Sequence, residues 1–586
     1  MKIKHFFGLA VIAAMTASCS SNEDLGTAGP GTGTNEAGVG YATFTINLPS
    51  VSGSRAAGDP TMDEGDANEY AVKSATALIF QKYGSDEGSY KFVESVDLPD
   101  AKTAWEADTE AGVTTSKKLV AKLTNVDTKN TYAVLVLLNN KTASGVKIKL
   151  PTVGQSYNEW NNNKDEAYIP NLADLAKTGE FYMANAPLCK SNEVTTLVTI
   201  DKNNIYPTQK AAESGTAAAN VYVERGVAKM SVADPTPTDP ITVKDKATNA
   251  DTKSSVKFNN WALDITNKKT YAVHNIDGLS AEYDKIWEAT GRFLGKNGRV
   301  YWGKDPNYNL DVLKQGDATG DKKRKEEFNF ITATSEINKD FTNTTNTNPV
   351  YCLENTFNLT NMYQGQTTRV IFKATYTPKD DADKKLADDD GTFYTIGNMT
   401  TILNETKLKK ALDDAATSVL PSGYKVDYTN LKTEGSHVIT LADIKDDTGA
   451  ILDAGPSSSG KTGTEIVKEI NDKLGLTDGG GRAEAMVGIN TYLKGVTYYI
   501  ARVKHFGLLT PWNSGESYGT DNGKYLGRYG MLRNNWYELQ VGNVYGPGYP
   551  GVPPVDPTLP DDENEKYLSV SVKILSWAKR SDTVDL

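Results

Sequence analysis

A strict alternation of apolar and polar side chains fixes a backbone period before anything else about a chain is known. From residue 42 to residue 48, Ala42, Phe44, Ile46 and Leu48 fall on one face and Thr43, Thr45 and Asn47 on the other. Only an extended strand, with its period of two, separates them in this way. The far end of the chain repeats the pattern: Leu568, Val570, Val572 and Ile574 alternate with Ser569, Ser571 and Lys573. Leu575 and Trp577 then continue in shifted phase, as a β-bulge produces. Both segments are amphipathic strands bordered by Gly-, Ser- or Pro-rich sequence, and both read as detachable.

The sequence between them is of the same kind. Short β-branched and aromatic runs recur at 77–80, 132–138, 194–200, 221–232, 370–376 and 496–503, separated by polar turns. Helical periodicity is confined to 171–177, 407–419, 465–476 and 483–493. The 30 Tyr and 50 Gly suit strands and turns, and 586 residues are enough for more than one core. The expectation is a mainly β protein made of β-sandwich domains with a few helical insertions. The stretch ADPTPTDP at 233–240 reads as a linker, dividing an N-terminal domain, 56–232, from a C-terminal domain, 233–586.

The N-terminus sets the compartment. Lys2 and Lys4 precede an apolar run at 6–15, and the small residues Thr16, Ala17 and Ser18 precede Cys19, the layout of a lipoprotein signal peptide over 1–18. The run is too short to span a bilayer, whereas the Cys19 thiol is placed to accept a lipid and tether the exported chain to the outer membrane. The Gly-, Thr- and Ser-rich residues 20–40 form a flexible leader. After the first strand comes SGSRAAG, small and pliant except for Arg55, so the Arg55-Ala56 bond is an accessible site for an Arg-specific protease. An ordinary loop cation at Arg55 is the competing reading.

Charge and motif content exclude several function classes. A net charge of −11 offers no attraction for nucleic acid. With Cys19 lipidated, only Cys189 and Cys352 remain, each beside a leucine, and both read as buried thiols. Residues 455–462, GPSSSGKT, match the P-loop pattern, but the apolar segment before them is interrupted by Asp453 and no magnesium-binding Asp follows an apolar run, so a Gly/Ser surface loop is expected. GESYG at 515–519 matches a nucleophile elbow, but Pro511, Trp512 and Asn513 stand where a strand should enter. His5, His274, His437 and His505 form no zinc pattern, and the acidic run 380–390 puts Leu386 and Gly397 at ligand positions of an EF-hand frame. No catalytic group, metal or cofactor is assigned.

Several motifs in order carry a family resemblance: the lipoprotein signal, Arg55-Ala56 after the first strand, FYMAN at 181–185, VYVERGVAK at 221–229 and YWGKDP at 301–306. YCLENT at 351–356, YYI at 498–500, Tyr529-Gly530, RNNWY at 533–537 and the terminal segment from Trp577 follow. The chain resembles the fimbrillins of Bacteroidales, the subunits of type V pili, and among them the shaft subunits of short fimbriae. The resemblance implies two transthyretin-like β-sandwich domains. It also implies that residues 19–55 are a propeptide, containing the first strand and removed after Arg55, and that a C-terminal donor strand, 567–579, inserts into the groove vacated in another copy. The implied partners are other copies of the chain, anchor and tip or accessory subunits, an Arg-specific surface protease, and host or bacterial surface ligands. The apolar register of Leu568, Val570, Val572 and Ile574 equals that of Ala42, Phe44, Ile46 and Leu48, as a replacement requires. A surface glycan-binding lipoprotein using Trp302, Trp512 or Trp536 and an exported hydrolase are the alternatives from other classes.

Overall fold

The computed structural model describes residues 32–576 except 50–65, 108–112, 163–169, 191–192, 234–238, 278–297, 301, 311–317, 342–348, 398–400, 458–459, 477–487, 506–525, 556, 558–560 and 562–567. The protein is mainly β, as its alternation requires, and its strands gather around separate apolar cores.

The first core belongs to a ten-stranded sheet. Its longer strands are β1 (Gly40–Pro49), β2 (Ala75–Gln81), β3 (Lys91–Asp97), β4 (Val113–Leu123) and β5 (Tyr132–Leu138), followed by the short β6 (Met183–Asn185) and by β7 (Ala219–Arg225). In space they run β3-β2-β5-β6-β7-β1-β4. Every residue of β5 is buried, and its sequence YAVLVLL is accordingly apolar or aromatic throughout instead of alternating. Its short helices include α1 (Ala67–Tyr70) before β2 and α2 (Gln209–Ser214) before β7.

The second core lies between two sheets. Its strands are β8 (Ala228–Ala233), β9 (Asp251–Asp264), β10 (Val350–Cys352), β11 (Arg369–Thr377), β12 (Val496–Arg502), β13 (Asn535–Val544) and β14 (Leu568–Ser576). A four-stranded sheet, β10-β8-β13-β14, packs on a five-stranded sheet that contains β9-β11-β12. Met230, Tyr537 and Leu539 from the one meet Phe258, Phe372 and Tyr499 from the other in a sandwich core. From the paired strands Phe393–Ile396 and Ile489–Tyr492 the chain departs to build a third core, where Leu408 and Leu412 of α3 (Glu405–Ala416) pack with Ile466 and Ile470 of α4 (Gly463–Lys473).

Four local readings change. The run 221–232 is two strands in different sheets, broken at Gly226 and Val227, so the change of core precedes the Pro-rich stretch at 233–240. A Cβ on Gly226 would stand 2.7 Å from the Tyr182 ring, so only glycine lets the backbone turn there. The run 194–200 is likewise two short strands. Ile489–Tyr492, expected in a helix, is a strand with all its residues buried and a partner on each side. Pairing of β14 with β13 is continuous from Ser576 to Val570, and its irregularity lies opposite Val541 and Val544, not at Leu575.

Candidate functional site

The groove around β1 is the feature that the terminal strand patterns single out. β1 pairs antiparallel with β4 along its length, parallel with β7 from Phe44 to Asn47, and antiparallel with Ile205–Tyr206. It therefore has a partner on both edges. Ala42, Phe44 and Ile46 are 0% exposed and Leu48 is 1% exposed within the first core. Burial of the three large side chains stabilises the strand by roughly 5–9 kcal/mol as an upper bound.

The opposite face is not a solvent face, which its polar residues had suggested. Thr43 and Asn47 are each 1% exposed. The Thr43 hydroxyl donates to the Ala212 carbonyl of α2 at 2.6 Å. The Asn47 amide donates to the Val221 carbonyl at 3.2 Å and to the Asn220 side-chain oxygen. Thr45, between them, is only half-buried. Alternation alone could not reveal this, because α2 is brought over the sheet by tertiary packing.

The other half of the expected site is elsewhere. Leu568, Val570, Val572, Ile574 and Leu575 belong to β14, which among the described residues pairs with β13 alone and forms one edge of its sheet. β1 and β14 thus lie in separate sheets. Cys19, Arg55, Ala56 and Trp577 lie outside the described residues, as does GESYG. Cys352 is buried, and burial pushes its thiol up to about 12.

Between the two cores lies a set of buried charged residues that the sequence displayed without explaining. Lys229 and Glu69 form an ion pair at 2.8 Å with side chains 1% and 3% exposed. The Tyr351 hydroxyl donates to the same Glu69 carboxylate at 2.5 Å, Arg225 donates to the Glu69 carbonyl, and the Lys229 ammonium sits 3.9 Å from the Trp536 ring centre. Burial opposes the charge on Glu69, but Lys229 and Tyr351 outweigh it and hold the carboxyl below its usual range. Close by, His274 meets Glu224 at 2.8 Å and Arg533 meets Glu354 at 3.1 Å, again buried. Burial disfavours the His274 imidazolium, yet the Glu224 carboxylate, with Glu354 behind it, raises its pKa above the ordinary value. The motifs VYVERGVAK, YCLENT and RNNWY, far apart in the chain, converge on this junction. Their signal was charge embedded in apolar strand sequence.

The remaining motifs have structural partners. In GPSSSGKT, the Thr462 hydroxyl and Glu465 cap α4 reciprocally, and the Lys461 ammonium is paired with Glu469. The acidic carboxylates of 380–390 accept backbone N–H groups: Asp380 from Ala382 and Lys384, Asp388 from Glu405, Asp390 from Thr392. Among the described residues no three His, Cys, Asp or Glu side chains converge as a metal site, and no helix is long and apolar enough to cross a membrane.

Residues 490–583, which contain β12, β13 and β14, match the family model of the C-terminal region of fimbrillin, the major fimbrial subunit protein type IV. The C-terminal region of the chain is thus similar to that of the fimbrillins. No curated protein matches the chain. Among solved structures, a candidate cell adhesion protein of Parabacteroides distasonis is 11% identical, with 92% of this chain and 98% of that one covered and a TM-score of 0.34. A second, from Bacteroides eggerthii, is 11% identical over 93% and 97% of the two chains at a TM-score of 0.33. The tip fimbrial protein Mfa3 of Porphyromonas gingivalis, with a C-terminal truncation, is 10% identical over 92% of this chain and 100% of that one at 0.28.

Proposed function

We propose that this protein is a fimbrillin, a structural shaft subunit that polymerises by strand exchange after proteolysis. The precursor is tethered at the outer membrane through Cys19. An Arg-specific protease cuts between Arg55 and Ala56, freeing the segment that contains β1 and, with it, the lipid anchor. The C-terminal strand of another copy fills the vacated groove, and because donor and acceptor surfaces differ, the contact is head-to-tail and grows a filament. Anchor and tip or accessory subunits complete the fimbria, which serves adhesion to surface ligands and biofilm formation.

One observation supports this reading above the rest. β1 lies in the middle of its sheet with partners on both edges, yet it is joined to the rest of its body only through residues 50–65, which hold Arg55. A single backbone cut thus releases a central strand, leaving unpaired N–H and C=O groups along β4 and β7 that a new strand can satisfy. For the glycan-binding alternative, Trp302 and Trp536 are 0% and 1% exposed and present no face for a sugar to stack on, and Trp512 lies outside the described residues.

The test treats purified precursor with an Arg-specific protease and examines it on gels run without boiling. Ladders are expected from the cleaved protein, none from the Arg55→Ala variant, and none when residues 568–586 are deleted. Monomers from the cleaved, full-length chain would refute strand exchange.

A further inference from the structure

The segment that ends at Arg55 is held by more than the two long ladders of β1. Residues 20–40 read as a flexible leader in the sequence, yet the last of them are folded. The Asn35 side chain accepts the N–H groups of Ala37 and Val39, each at 3.0 Å, and closes a tight turn. That turn is seated on a loop that stays with the first body. The Gly33 N–H donates to the Ile205 carbonyl at 2.6 Å, and Gly40 lies so close to Ile205 that an added Cβ would clash with its side chain.

The same loop runs on over β1. Ile205 and Tyr206 pair with Ala42 and Tyr41, the Thr43 hydroxyl donates to the Ala212 carbonyl, and the Ala218 N–H donates to the Thr43 carbonyl at 2.7 Å. Ile205 and Ala212 are fully buried in these contacts. The loop is also closed on itself: the Tyr206 hydroxyl accepts the Thr216 N–H at 3.2 Å, and the Tyr206 ring lies against Gly215, where a Cβ would collide with it. At the end nearest Arg55 the grip is looser. Pairing of β1 with β4 is irregular between Asn47 and Pro49, and Thr45 is only half-buried.

We propose that residues 205–218 are a clasp that keeps the excised segment in place after proteolysis, so that cutting and release are separate steps and opening of the clasp is the second. The proposal rests on the proteolytic reading and adds a regulated step to it. Cleavage between Arg55 and Ala56 breaks one peptide bond outside every contact named above. It removes no ladder hydrogen bond and exposes none of Phe44, Ile46 and Leu48. What it adds is one free strand end, which frays from Pro49 toward Thr43 and re-pairs as long as the clasp holds residues 33–43. Because Cys19 belongs to the same segment, a cut subunit stays tethered until the clasp lets go. Opening and departure are one event, since Ile205 and Tyr206 have no other strand partner among the described residues and the buried Ala212 carbonyl loses its donor with Thr43.

The test cuts purified precursor with an Arg-specific protease at a dilution that prevents ladders and passes it at intervals over a gel-filtration column under native conditions. Mass spectrometry of the denatured monomer peak then counts the fragment that ends at Arg55. The clasp requires that fragment in equal ratio to the cut monomer. Gly215→Ala, which pushes the Tyr206 ring from its seat, and Thr43→Val, which removes the donor on the other side of the contact, should each shorten the fragment's residence by about tenfold. Lys210→Ala, on the exposed side of α2, should leave it unchanged. Thermal unfolding of the uncut variants establishes that each is folded at the assay temperature. Free fragment at the first interval, with ladders still forming on concentration, would overturn retention and leave strand exchange intact. Equal residence in Gly215→Ala, Thr43→Val and the unaltered protein would assign retention to the ladders and deny the clasp. Retained fragment without ladders at any concentration would uphold the clasp and remove strand exchange, and a precursor that the protease leaves whole would remove both.

Discussion

β1 and β14 have the same amphipathic pattern and opposite situations. β1 has neighbours on both edges, and its apolar face is fully enclosed in the first core. Among the described residues β14 pairs with β13 alone, at the rim of the second sandwich. A pattern of period two specifies a strand but not its place in a sheet, and here the place decides how each strand can be given up. A central strand leaves only after its chain is cut, because both ladders and its enclosed face must be surrendered together. An edge strand can peel from one ladder with its chain intact. The largest test of this contrast is Phe44→Ala, expected to cost the first body about 3–5 kcal/mol in denaturant unfolding. Deleting residues 568–586 should change unfolding of that same body, followed by hydrogen exchange of β4 and β5 amides, by less than about 0.5 kcal/mol. Comparable losses from the two changes would break the contrast.

What joins the regions is the junction where β7 passes into β8 at Gly226 and Val227. β7 is a wall of the β1 groove and β8 is the neighbour of β13, so Arg225, Gly226 and Lys229 lie on a direct route from the groove to the sheet that holds β14. Lys229→Met keeps the bulk of the side chain but leaves the Glu69 carboxylate buried without its ammonium. The expected loss is about 3 kcal/mol, measured by urea unfolding. A loss below about 1 kcal/mol would show that Tyr351 and Arg225 hold the junction without Lys229.

His274 gives the junction a pH signature of smaller size. Its pKa in the folded protein lies above the ordinary value near 6.5, so protonation favours the folded state. The stabilisation is complete below about pH 6.5 and is lost as the pH rises through the folded value. The gap in melting temperature between the unaltered protein and His274→Gln should therefore be widest in mild acid and narrow as the pH rises above neutrality. A gap that widens with rising pH would mean that the neutral ring is the form the fold selects. Glu224, Glu354 and Arg533 are the charged groups facing the ring, so Glu224→Gln should flatten the profile.

The strands and the mainly β fold were legible in the sequence because side-chain period is a local property, and the strands at 132–138, 370–376 and 496–503 were found nearly to the residue. What sequence alone could not give was assembly. The run 221–232 looks uniform, and its break depends on the distant Tyr182 ring against Gly226. Ile489–Tyr492 followed a Gly-rich loop and looked helical, but pairing on both edges overrode local propensity. Glu224, Arg225, Lys229, Glu354 and Arg533 were visible as charges in apolar surroundings, yet their partners lie scores of residues away. At the site itself, the apolar half of β1 was readable and the polar half was not, because a Thr on a strand looks the same whether water or α2 lies above it.

The polar half also supplies the next test. Thr43→Val preserves shape and removes the donor to the Ala212 carbonyl, with an expected loss of about 1–3 kcal/mol from the buried acceptor left behind. Thermal unfolding of the precursor reads it directly. A loss near zero would mean that the carbonyl finds another donor and that the polar face constrains nothing.

The smallest effect belongs to Thr45, and it sharpens the comparison most. Thr45 lies on the same face, midway between Thr43 and Asn47, but is only half-buried where they are enclosed. Thr45→Ala should change precursor stability by no more than about 0.5 kcal/mol. Equal losses from Thr43→Val and Thr45→Ala would mean that the face answers to general polarity. A loss confined to Thr43 means that enclosure beneath α2, and not position on the face, sets what each hydroxyl contributes.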